Sequence, residues 1–127
     1  MPVKNPGLIP LFDDLKAILS PYAAHFTVRR DEPGYYDLWS ERDVVVEGRN
    51  RTEVFFAGLI IQKAYVGFYF MPIYAEAELA TFFGPELLAT LKGKSCFHIK
   101  HMTPETRAQI ADALSRGYEL YVKRGWV

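Results

Sequence analysis

The reactive side chains of this chain concentrate in one segment, Leu91-Lys92-Gly93-Lys94-Ser95-Cys96-Phe97-His98-Ile99-Lys100, followed at once by His101. A thiol and two imidazoles within six residues are the types that ligate a soft metal, or that pair a nucleophile with its base. On a strand, Cys96 and His98 share one face, roughly 6.5–7 Å apart along the backbone. His101 would have to curl back from the next loop. A structural zinc wants four protein ligands and a catalytic one three plus water, so Cys96, His98 and His101 are weak metal candidates. As a nucleophile, Cys96 would gain thiolate character from Lys94 and Lys100, but no third group is placed to orient His98.

Gly93-Lys94-Ser95 matches the last residues of a phosphate-binding P-loop. The full motif needs a glycine five residues before Gly93, where this chain has Leu88. It also needs a strand before and a helix after, the reverse of the order expected here. Nucleotide hydrolysis is thereby excluded, and Gly93 reads as a helix C-cap.

Lys63, Lys92, Lys94, Lys100 and His101 form a candidate cationic patch for a small anionic ligand or an acidic partner. Ser95, Tyr69 and Tyr74 are placed beside it. Tyr35, Trp39, Tyr65, Tyr69 and Tyr74 are expected on one sheet face or its rim, as an interface or a ligand cleft. The carboxylate pairs Asp13/Asp14 and Asp31/Glu32 are sequence neighbours that diverge, so they make no acid/base couple.

The bulk properties narrow the classes. At 127 residues, half of them hydrophobic, the chain is long enough for one domain with a real core. Fifteen basic and fifteen acidic residues cancel, so no global field draws it to nucleic acid or an anionic membrane. The longest apolar stretch, Val54 to Ile61, is far short of the ~20 residues that span a bilayer. A single cysteine leaves no internal disulfide. The N-terminus lacks the basic-then-apolar pattern of a signal peptide, and a cytoplasmic location is expected.

These residues require elements to position them. Leu11, Leu15, Ile18 and Tyr22 fall at helical spacing, with Phe12 and Leu19 widening the stripe, and predict a helix from about Pro10 to Ala23. Strands follow over Phe26–Arg30, Tyr35–Ser40, Val44–Glu47, Thr52–Ile61 and Tyr65–Met71, in an antiparallel meander. Val54 to Ile61 is apolar at both parities: Val54, Phe56 and Ile60, but also Phe55, Leu59 and Ile61. Such a strand predicts a cover on each side, and a homodimer would supply the second. Ala75–Phe83 and Pro85–Leu91 read as short helices, Cys96–Lys100 as a strand, and Thr103-Pro104-Glu105 as the start of a helix ending at Gly125. The fold class is α+β: a single domain, residues 1–127, with an antiparallel sheet of about five to six strands packed by N- and C-terminal helices.

Two further blocks carry a resemblance. Phe55-Phe56-Ala57-Gly58-Leu59-Ile60-Ile61-Gln62-Lys63 with Tyr65-Val66-Gly67-Phe68-Tyr69-Phe70-Met71-Pro72-Ile73-Tyr74, and Leu91 to Phe97 after them, resemble the YdhG-like domain-of-unknown-function family of bacteria over essentially the whole chain. The resemblance implies a fold close to the YjbR-like and secretion-chaperone-like folds. Some members are described as frataxin-like iron chaperones, whose acidic ridge lies on the first helix; here that helix offers Asp13 and Asp14. The leading expectation is a non-catalytic binding or adaptor module needing no cofactor. An iron carrier resembling frataxin and a thiol enzyme using Cys96 are the alternatives.

Overall fold

The computed structural model describes residues 3–46 and 48–127; Met1, Pro2 and Glu47, the last expected to end the third strand, lie outside the described residues. Helix α1 (Ile9–Leu19) buries Phe12, Leu15 and Leu19 and continues as a 3-10 turn, Ser20–Ala24. It stops earlier than its apolar stripe because Pro21 has no N–H to extend the ladder. Strands β1 (Thr27–Glu32) and β2 (Tyr35–Ser40) meet at a turn where Gly34 takes φ 79°. Next come β3 (Val44–Val46), β4 (Arg49–Arg51), β5 (Val54–Ile61) and β6 (Val66–Phe70).

Two short helices, α2 (Met71–Ala75) and α3 (Pro85–Leu88), flank a 3-10 segment, Ala77–Phe82. Strands β7 (Leu91–Lys92) and β8 (Cys96–Ile99) lead to the long helix α4 (Pro104–Arg124). Its ends are the expected ones. The Thr103 hydroxyl accepts from the Thr106 N–H, and Gly125, at φ 74°, donates to the carbonyls of Tyr121 and Val122.

Among the described residues the strands form an antiparallel sheet of six, in the order β1-β2-β5-β6-β8-β7, and a separate hairpin, β3–β4. The hairpin therefore leaves the expected meander, and β2 pairs directly with β5. Leu91, expected to end a helix, forms a sheet edge with Lys92 instead. Gly93 caps no helix: at φ 72° it turns β7 into β8, because the left-handed backbone that glycine permits serves a hairpin as well as a helix end.

Helices α1 and α4 cover one face of the sheet. Phe56, Phe68, Phe70 and Phe97 from the strands meet Leu15, Leu19, Ile110, Leu114 and Tyr121 from the helices, all fully buried. Each such side chain contributes roughly 1.5–3 kcal/mol. α4 sits so close that a Cβ at Gly117 would lie 2.5 Å from the Phe70 ring.

The register of β5 shifts at Phe56–Ala57, where Leu38 pairs with Ala57 but Trp39 with Phe55. This bulge resets the alternation. Val54 and Phe56 before it, and Ala57, Leu59 and Ile61 after it, all turn into the one core. The apolar residues at both parities thus need only one cover, and the homodimer loses the argument that led to it. Only Phe55, Gly58 and Ile60 remain on the far face. No described helix is long and apolar enough to cross a membrane.

Candidate functional site

The far face of the sheet is a layer of half-buried aromatic side chains that no described helix covers. Directly paired residues share a face, so the register sets out its rows. One runs Asp37, Gly58, Tyr69, Cys96, Lys92, and the next Tyr35, Ile60, Gly67, His98. The two glycines make beds for rings. A Cβ on Gly67 would lie 2.7 Å from the Tyr69 ring, and one on Gly58 would lie 3.0 Å from the Phe55 ring. Tyr69 and Phe55 therefore lie down on the sheet and leave a shallow groove of about 370 Å³ lined by Tyr35, Trp39, Phe55, Ile60, Tyr69 and Met71.

Asp37, 6% exposed, forms the groove's polar floor. One carboxylate oxygen accepts from the backbone N–H groups of Arg29 and Arg30, at 3.2 and 2.7 Å, and the other from the Trp39 indole at 3.1 Å. The two N–H groups belong to a bulge in β1, where the register shifts between Val28 and Asp31. Asp37 is thus committed to holding the edge strand and aiming Trp39.

A second cavity, of about 490 Å³, shares Trp39, Phe55 and Met71 with the first and extends to Tyr74 and Trp126. Its remaining wall is cationic: Arg49 and Arg51, two residues apart on β4, both line it. Glu53 lines it too, but is held by the Arg29 guanidinium, whose hydrogen bond lowers the Glu53 carboxyl pKa. Arg29 also lies 4.4 Å over the Trp39 ring.

The segment rich in reactive groups contributes to this face. Cys96 and His98 do share the open face, with Phe97 and Ile99 buried behind them. Burial pushes the Cys96 thiol up, against a smaller lowering from Tyr69, the opposite direction to that expected from Lys94 and Lys100. The His98 ring stacks on Tyr65 at 3.7 Å. His101 is exposed beyond the strand end, and no group of three or more metal-ligating side chains exists among the described residues. Asp14 lies 3.7 Å from Arg107, and Lys16, on the same helix, binds Asp31, so cations stand close to the acidic pair on α1.

The cationic patch is divided. Lys92 and Lys94 lie at the β7–β8 turn, with Lys94 5.6 Å over the Tyr74 ring. Lys100 and His101 follow the far end of β8, where Ile99 pairs with Val66, near the β5–β6 turn that carries Lys63. The length of β8 separates the two groups. Ser95 lines the groove, and its carbonyl accepts from the Phe70 N–H at 2.9 Å. Sequence reasoning placed Tyr35, Trp39 and Tyr69 together but missed Arg49 and Arg51. Their i, i+2 spacing after the Gly48 turn was the available signal.

Fold and site together define a small α+β protein with one sheet face open and a cation-edged aromatic groove across it. No family model, curated protein or solved structure matches this chain.

Proposed function

We propose that this chain is a non-catalytic binding module of the YdhG-like kind, working through the uncovered face of its sheet. The observation that carries the reading is the pair of glycine beds. Gly58 and Gly67 leave room for Phe55 and Tyr69 to lie flat, so a concave aromatic groove exists where ordinary side chains would fill the face. Grooves of roughly 300–1,000 Å³ with aromatic walls and a few polar groups are the usual form of a small-ligand site. The raised Cys96 thiol and the stacked His98 support binding over bond-making.

A fragment screen followed by two-dimensional NMR tests this. Fragments are expected to shift the backbone amides of β2, β5 and β6 around Tyr35, Ile60 and Tyr69. A library that perturbs only α4 or the loops, or nothing at all, would defeat the reading.

A further inference from the structure

We propose that the cavity between Trp39 and Tyr74 takes a planar aromatic anion, its ring against Trp39 and Tyr74 and its acidic group on Arg49 and Arg51. The proposal rests on the open face being a binding surface and adds the ligand's chemistry.

Charge is the first argument. Arg49 and Arg51 line the cavity from one strand, and alternate residues of a strand share a face, so both guanidinium groups border the same space. The only carboxylate lining it among the described residues is Glu53. That group is held by Arg29, which leaves the wall with a net positive charge. Paired planar guanidinium groups match the oxygens of a carboxylate or phosphate better than lysines do.

Shape is the second. The wall facing the arginines is aromatic and fixed from behind. Trp39 is held by Asp37 through its indole N–H. Trp126 is 5% exposed and meets Tyr121 edge-on at 5.0 Å. Tyr74 stands 48% exposed at the rim with Lys94 over its ring. A flat ring entering here meets aromatic side chains already in place, and Arg29 over Trp39, Arg124 over Trp126 and Lys94 over Tyr74 add positive charge behind that wall. A neutral ring would leave the arginines unused, and a bare anion would leave the aromatic wall unused.

Both tryptophans of the chain line this cavity, so intrinsic fluorescence reports directly on it. The test titrates adenosine 5′-monophosphate and 1-naphthoate as two sources of the anion, against adenosine and 1-naphthalenemethanol as neutral counterparts. A saturable quench by either anion, at least about tenfold tighter than its neutral counterpart, is expected. It should weaken by about tenfold or more in the Arg49→Gln/Arg51→Gln variant and at high ionic strength. Saturation by the nucleotide alone would assign the acidic group as phosphate, and by the naphthoate alone as carboxylate. Equal binding of charged and neutral ligands, no saturation, or an unchanged affinity in the double variant would overturn the proposal. Should the variant fail to fold by circular dichroism, an affinity of wild type independent of salt overturns it equally. Fragments that bind over Ile60 and Tyr69 while these anions fail would sink this inference and leave the binding module standing.

Discussion

The hydroxyl of Tyr121 on α4 donates to the backbone carbonyl of Phe55 on β5 at 2.6 Å. Phe55 adjoins the bulge at Phe56–Ala57, where the strand ladder is broken. The helix thus supplies from behind the partner that a bulged backbone loses, while the Phe55 side chain faces the groove. Core and candidate site meet at this bond.

Removing it tests the coupling. Tyr121→Phe keeps the ring and takes this donor from a partly buried carbonyl, so a loss of about 1–3 kcal/mol is expected in urea denaturation. An unchanged midpoint would show that the bulge needs no help from the helix.

The same phenol sets an alkaline limit. Burial raises the pKa of Tyr121, and of Tyr36 and Tyr22, above the ordinary phenol value. The folded chain thus holds these protons more tightly than the unfolded one. The stability this supplies is complete below about pH 10 and is lost as pH rises through and beyond it. The urea midpoint should fall between about pH 8 and pH 11, and fall less in Tyr121→Phe. A flat profile would contradict the burial argument.

Asp37→Asn separates charge from geometry. The amide keeps one acceptor for the Arg29 and Arg30 N–H groups but sets an NH₂ against the Trp39 indole N–H. A loss of about 1–3 kcal/mol and a shift in tryptophan emission are expected. Wild-type stability and emission would show that Asp37 does not aim Trp39.

At Gly67 two effects oppose. Alanine there restricts the unfolded chain, worth about 0.4–1 kcal/mol. Its methyl, however, would press into the Tyr69 ring, and overpacking costs about 1–3 kcal/mol. Net destabilisation of Gly67→Ala is expected by thermal melting, with loss of the Gln62–Tyr69 hydrogen bond. A stabilised variant would mean that the ring is not bedded on the glycine.

For Cys96, the raised thiol predicts slow alkylation. At about pH 7, iodoacetamide should label it more slowly than a free small-molecule thiol, whose pKa is about 8.5. Faster labelling would revive the thiol enzyme.

What the sequence by itself determined is the set of elements with strong local causes. The α1 stripe, the Thr103 and Gly125 caps of α4, and the alternation Tyr35-Asp37-Trp39 are written in neighbouring residues, because capping, periodicity and pleat act over a few positions. The α+β class follows from their order. The bulge in β5 was not legible, since unbroken alternation with two covers and a broken one with a single cover have the same composition; only the pairing of Leu38 and Trp39 decided between them. Nor was the cavity. Arg49 and Arg51 share a cavity with Trp39, Tyr74 and Trp126 only because β3 and β4 leave the sheet while α4 returns its end to β5. Such closures join residues far apart in sequence, and no local signal encodes them.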